Sequence, residues 1–238
     1  MAGGGDRDES ATRKGPAELR SFGRRKGRRL SAHQQHLIES LMPRHRIAVD
    51  APASETEWLP ADAHRLWLEI GFGGGEHLAW QARANPGVDF IGCEPFQDGV
   101  IKVLAAIETE GLGNIRIHDG DARDLLRWLP PGSVGRVFIL FPDPWPKRRH
   151  AKRRLVNAHT LDLLARVMVS GAELRFASDI ADYVRTALFA LTSHPAFRWD
   201  ARSPADWRTR PGDWPETRYE RKAIREGRRC YYFSFRRI

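Results

Sequence analysis

Cysteine is nearly absent from this chain: Cys93 and Cys230 are the only two among 238 residues. Neither has a neighbour at metal-ligand spacing, so no zinc site, disulfide framework or resident metal is expected. Long apolar runs are missing too. No stretch approaches the ~20 residues that span a bilayer, and the amino-terminal MAGGGDRDES lacks the apolar segment of a secretory signal. A cytoplasmic protein without a membrane partner is the expectation. No internal repeat is visible. Apolar material itself is not scarce. Hydrophobic residues make up 41%, with eight Trp and eleven Phe spread along the chain, which excludes global disorder. The length suits one large α/β domain with extensions, or two small domains.

Acidic charge is short at both ends. Residues 1–46 hold 11 Lys/Arg against 5 Asp/Glu, and residues 202–238 hold the same numbers. The stretch between them holds 17 against 20 and so leans acidic, although the whole chain carries +9. One basic run interrupts that middle: Lys147, Arg148, Arg149, Lys152, Arg153 and Arg154, with no acid among them. A polyanion such as a nucleic acid fits this layout. RSFGRRKGRRL reads as a flexible arm, so 1–46 is set apart from a folded part, 47–238.

The pattern over 31–42 predicts one short helix, and the prolines at 43, 52 and 60 predict a connecting stretch to residue 64. From residue 65, apolar runs alternate with helical periodicity. Strands are predicted at 66–71, 88–94, 114–121, 134–141, 172–179 and 230–235. Helices are predicted at 75–84, 96–110, 124–129, 153–169 and 183–192. Such alternation implies βαβ units, a mostly parallel sheet of about seven strands and helices on both faces. Ligands bind such sheets beyond the carboxyl ends of the strands.

The first strand-to-helix junction there is Glu69-Ile-Gly71-Phe-Gly73-Gly-Gly75. Glycines permit positive φ and close backbone approach to a ligand. The G-x-G-x-G spacing differs from the G-x-G-x-x-G of dinucleotide sites. A carboxylate just before it repels a pyrophosphate but suits an ammonium and a sulfonium. S-adenosylmethionine is therefore favoured over NAD. Glu94 ends the second strand, 23 residues after Gly71, where a carboxylate accepts hydrogen bonds from a ribose diol. Asp121 ends the third, placed either to accept from an adenine amino group or to cap the next helix.

After the fourth strand comes Phe141-Pro-Asp143-Pro-Trp145-Pro-Lys147. Three prolines in five residues stiffen this loop and restrict the directions of Asp143. Trp145 offers a ring for a base to stack on. The basic run starts immediately afterwards. A rigid acid, an aromatic plate and phosphate-binding cations together predict a nucleobase site.

EIGFGGGEH, LFPDPWPKRRHAKRRLV and Thr217-Arg218-Tyr219-Glu220, with RSFGRRKGRRL near the start, resemble the bacterial tRNA (guanine-N7-)-methyltransferase family. The resemblance covers most of residues 20–238. It implies the class I, Rossmann-like methyltransferase fold, S-adenosylmethionine as methyl donor, and methylation of a guanine, position 46, in the tRNA variable loop. It also implies that 47–238 is the methyltransferase domain with a basic carboxyl-terminal substrate segment. Glu69, Glu94 and Asp121, with the glycines 71, 73 and 75, match donor-contacting positions. Asp143 matches the acid assigned to both donor and catalysis. Lys147, Asp179, Thr217, Arg218, Tyr219 and Glu220 match substrate-contacting positions. The cations Arg148, Arg149, Lys152, Arg153 and Arg154 are expected on RNA phosphates. For Asp179, a helix cap before Ala181 is the competing role. The sequence leaves monomer and homodimer open.

Three rival readings stand beside this one. An amino-group methyltransferase uses a (D/N)-P-P-aromatic loop, which Asp143-Pro144-Trp145 matches only in part. An NAD-dependent oxidoreductase conflicts with Glu69 and the glycine spacing. A non-catalytic RNA-binding module leaves the acids at three successive strand ends unexplained.

Overall fold

A computed structural model describes residues 29–53 and 56–238, apart from the Arg148 side chain. Of the basic arm expected over residues 1–46, residues 1–28 lie outside the described residues. Seven strands form one sheet in the order β3-β2-β1-β4-β5-β7-β6. They are β1 (Leu66–Ile70), β2 (Asp89–Cys93), β3 (Ile115–His118), β4 (Val134–Leu140), β5 (Met168–Ser178), β6 (Phe197–Trp199) and β7 (Tyr231–Arg237). The first five run parallel, and β7 is antiparallel to both β5 and β6. This is the mostly parallel, helix-covered sheet expected from the sequence.

The period of two in each strand explains the layering. Leu66, Leu68, Ile70, Val137, Ile139, Leu174, Phe176, Phe233 and Phe235 face one core. That core is completed by α5 (Ala122–Trp128), α6 (Ala158–Val167) and α7 (Ala181–Ser193). Phe90, Ile115 and Ile117 face the other way, against α3 (Glu76–Ala84) and α4 (Gln97–Glu110).

Residues 32–45 do not form one uniform helix. Helix α1 (Ala32–His36) passes through a π-helical turn, Leu37–Leu41, into α2 (Met42–His45). His45 Nδ1 then lies 2.9 Å from the Ile115 carbonyl, and Ile47 N donates to Ile117 O at 2.8 Å. The segment thereby covers the outer edge of β3, which would otherwise expose unpaired backbone groups.

Two boundaries differ most from expectation. The helix predicted to begin at 153 begins at Ala158, where Asn157 accepts from Thr160 N. The preceding Arg148–Arg153 forms a 3-10 turn. Strand β5 starts at Met168, because Met168 pairs with Val134 across an irregular register. Strand β6, α8 (Ala205–Arg208) and α9 (Arg218–Arg225) were not foreseen; each is short.

Candidate active site

The carboxyl ends of β1, β2, β3 and β4 surround a cavity of about 330 Å³, a size suited to a small ligand. Gly71 and Gly73 form one wall, Glu94 and Phe96 a second, Asp121 and Arg123 a third, and Asp143 and Trp145 the mouth. Four loops distant in sequence therefore meet as the parallel topology requires.

Gly71 and Gly73 adopt φ of +78° and +54°, conformations that glycine takes without a Cβ penalty. The loop is held from outside by Glu94. Its Oε2 accepts from Gly73 N at 2.9 Å and its Oε1 from Phe96 N at 3.0 Å. Burial pushes the Glu94 carboxyl above its ordinary range, opposed by those two backbone hydrogen bonds. A carboxylate offers about four acceptor directions, so each oxygen keeps capacity toward the cavity.

Gly75 takes a different role from the one expected. It is the left-handed N-cap residue of α3, and a Cβ there would stand 2.2 Å from Val103 Cγ2 of α4. It lets α3 and α4 approach and does not line the cavity. Glu69 is likewise displaced from the wall. It is 3% exposed, and its Oε2 lies 2.8 Å from His77 Nδ1 behind the glycine loop. Asp121 does reach the wall and also caps α5: its Oδ1 accepts from Arg123 N at 2.9 Å, and the Arg123 guanidinium is about 3.1 Å from Oδ2.

The loop after β4 is strained on both sides of Asp143. Phe141 and Trp145, neither a glycine, have φ of +49° and +43°. Such conformations cost roughly 1–3 kcal/mol each and are kept where surrounding structure fixes them. Asp143 is exposed at the cavity mouth. The Arg153 guanidinium sits 4.9 Å from the Trp145 ring centroid, and His150 meets that ring edge-on.

The basic run splits in two. Lys147, Arg149 and Lys152 are exposed, and Arg153 is half-buried beside Trp145. Arg154 points inward and is 3% exposed. It donates to Pro144 O, Thr186 Oγ1 and Asp182 Oδ2, fastening the strained loop to α7. A phosphate on the surface does not reach it, which corrects its expected role.

The segment 217–220 also divides. Thr217 is the N-cap residue of α9, accepting from Glu220 N, and Glu220 is 2% exposed. Glu220 accepts from the Tyr232 hydroxyl and pairs with Arg210 at 3.0 Å. These two residues hold the segment from inside instead of presenting themselves to a substrate. Arg218 and Tyr219 face the glycine loop. A Cβ on Gly73 would lie 2.9 Å from the Tyr219 ring, and one on Gly74 would lie 2.7 Å from the Arg218 guanidinium. Asp179 is bound by Arg228 at 2.6 Å. It does not cap α7, whose N-cap residue is Ile180, without a side-chain cap.

Two residues of this region escaped the sequence reading. Gly99, in the first turn of α4, lies against the Gly73 carbonyl; a glycine inside a helical pattern is the signal that could have marked it. His77 closes the EIGFGGGEH motif, but no role was read from it there. Among the described residues, no cluster of His, Cys, Asp and Glu suits a metal, and no helix is long and apolar enough to cross a membrane.

Known proteins place this geometry in context. An antibiotic-related methyltransferase aligns with a TM-score of 0.52 at 16% identity, covering 73% of this chain and 88% of its own. The 16S rRNA methyltransferase KamB aligns at 0.51 and 20% identity, covering 78% and 94%. These likenesses establish the class I methyltransferase fold. A family model described as "Putative methyltransferase" matches residues 63–233. The tRNA (guanine-N(7)-)-methyltransferase of Rhodospirillum rubrum is 50% identical over 226 residues, 92% of this chain and 88% of the relative. That of a Chelativorans species is 48% identical over 91% and 94%. Matches of this depth over nearly the whole sequence mean that the chain belongs to the tRNA (guanine-N(7)-)-methyltransferase family.

Proposed function

We propose that this chain transfers the methyl group of S-adenosylmethionine to N7 of a guanine in the variable loop of tRNA. The observation that carries this reading is Asp143. It is fixed between two left-handed residues at the mouth of a cavity whose rear wall is a glycine loop.

The cavity fits the donor. Gly71 and Gly73 admit close approach of its methionine part. The second acceptor direction on each Glu94 oxygen suits a ribose diol, and Asp121 stands where an adenine amino group would end. Glu69 contributes a negative field from behind the loop, where an ammonium is welcome. When bound, S-adenosylmethionine supplies an electrophilic methyl carbon on a positive sulfonium.

Guanine N7 carries a free lone pair, so no proton has to leave before attack. As the N7–carbon bond forms, the carbon–sulfur bond breaks, its electron pair stays on sulfur, and the positive charge passes to the purine ring. The protein has to align the two centres and stabilise that moving charge. Asp143 does both: its carboxylate accepts from the guanine N1–H and amino group, fixing the base, and faces the ring that becomes positive. It is not required as a general base. Tyr219 and Arg218 close over the glycine loop from the other side.

The exposed Lys147, Arg149 and Lys152, with Arg153 at the cavity, suit tRNA phosphates, with Arg148 beside them in the chain. The target guanine must leave its tertiary contacts to reach the cavity, at a local opening cost of a few kcal/mol. Asp143→Asn tests the assignment. It should lower turnover by about a hundredfold or more while changing donor affinity little. Equal loss of both would contradict it.

A further inference from the structure

Behind the cavity runs a buried polar chain that the methyl transfer does not use directly. His77, on α3, is 2% exposed, and its Nδ1 lies 2.8 Å from Glu69 Oε2. Its Nε2 lies 3.2 Å from Gln81 Nε2. The Gln81 amide nitrogen donates onward to the Asp213 carbonyl at 2.8 Å. Asn85 donates to Gln81 Oε1 at 3.2 Å, which fixes the orientation of that amide. Gln81 Nε2 is therefore the donor toward His77. The His77 Nε2 must accept, so its single proton sits on Nδ1 and is given to Glu69. Donation runs outward from the Gln81 amide: to the Asp213 carbonyl on one side, and on the other to the neutral imidazole, which in turn donates to the Glu69 carboxylate.

Its two ends belong to different parts of the site. Glu69 is the penultimate residue of β1, one short of the glycine loop. Asp213 lies four residues before Thr217, on the strap that leads to Arg218 and Tyr219. The strap is otherwise anchored to the sheet through a two-pronged pair between Asp213 and Arg175, at 2.9 and 2.8 Å. Trp214 packs on the His77 ring at 5.6 Å. A second polar contact joins α3 to the strap, an ion pair between Glu76 and Arg218 at 3.5 Å.

We propose that His77 is a positioning residue that couples the two binding events: donor bound against the glycine loop, in front of the buried Glu69, sets the imidazole, and the imidazole sets the strap that presents Arg218 and Tyr219 to tRNA. The positive charge of a donor in the cavity, acting through the glycine loop on the buried Glu69 carboxylate behind it, changes how strongly that carboxylate draws the Nδ1–H. Because Gln81 Nε2 serves His77 and Asp213 together, that change is transmitted to the strap. By linkage, tRNA must tighten the donor by the same factor. This inference rests on the functional reading above.

The test measures tRNA affinity of the full chain with and without saturating S-adenosylhomocysteine. The wild type should bind tRNA about fivefold or more tighter with it. Gln81→Leu removes the donor that joins His77 to the strap. His77→Asn keeps an amide N–H at the position of Nδ1 but has nothing at the position of Nε2. Both variants should bring the ratio near one while S-adenosylhomocysteine alone still binds with near wild-type affinity. A residue that merely filled the core would shift both affinities and leave their ratio intact. Should the wild type bind both ligands independently, or either variant keep the full ratio, the coupling is wrong and the functional reading stands. Failure of the wild type to bind one of them at all overturns that reading and this inference together.

Discussion

Gly99 sits so close to Gly73 that a Cβ on the first would stand 2.2 Å from the carbonyl oxygen of the second. Helix α4 is thereby pressed onto the glycine loop by backbone contact, with no side chain that can move aside. The Gly99→Ala variant must push the loop into the cavity or α4 away from it. Overpacking of this kind costs about 1–3 kcal/mol. The expected outcome is a donor affinity at least about tenfold weaker, with circular dichroism unchanged. Wild-type affinity in the alanine variant would show that this approach does not shape the site.

Glu94 predicts a pH dependence of donor binding. Burial, first among its influences, raises the carboxyl above its ordinary value. In the proposed site the charged form accepts both diol hydroxyls, whereas protonation turns one acceptor into a donor. As pH falls, affinity should decline earlier than an ordinary carboxylate would allow. Calorimetric titration of S-adenosylhomocysteine across mildly acidic pH reads this directly. Glu94→Gln should bind weakly at neutral pH and show no such decline; a decline of the same size in that variant would assign it to another group.

Arg154 and Arg149 are five residues apart and should behave oppositely. Arg154→Ala leaves Asp182, Thr186 and the Pro144 carbonyl without their donor. It should lower stability by roughly 1–3 kcal/mol. Arg149→Ala should leave Tm unchanged but weaken tRNA binding and reduce its salt slope by about one. A loss of salt slope in the Arg154 variant at temperatures where it is folded would contradict the inward placement.

His45 carries a stability signature. Burial, aided by Arg116 and Arg44, holds its pKa below the ordinary 6.5. Between the folded value and 6.5 the unfolded chain binds a proton that the folded chain does not. Stability should therefore fall as pH drops through that interval and level off once both states are protonated. Urea unfolding at about pH 7.5 and about pH 5.5 measures the loss. His45→Asn, which keeps an N–H toward the Ile115 carbonyl, should shrink the difference; an undiminished one would assign it elsewhere.

Sheet, helices and the loops of the site were legible because strand periodicity and glycine or proline punctuation are local signals. Whether Glu69 or Arg154 faces a ligand or the interior was not. The glycine-loop motif contains Glu69, but the imidazole that claims it comes from the next helix. The basic run contains Arg154, but its partners, Asp182 and Thr186, lie on α7, about 30 residues on. The segment Thr217 to Glu220 reads as four equivalent positions until Tyr232 and Arg210 draw Glu220 inside. Strand β6 has only three residues and exists because β7 offers it an edge.

The most direct test of the central claim is methyl transfer from labelled S-adenosylmethionine to unmodified tRNA, followed by nucleoside analysis. The geometry at Asp143 predicts that the label appears as 7-methylguanosine and disappears in Asp143→Ala. Label on an exocyclic amino group of adenine or cytosine, or no transfer to tRNA, would contradict it.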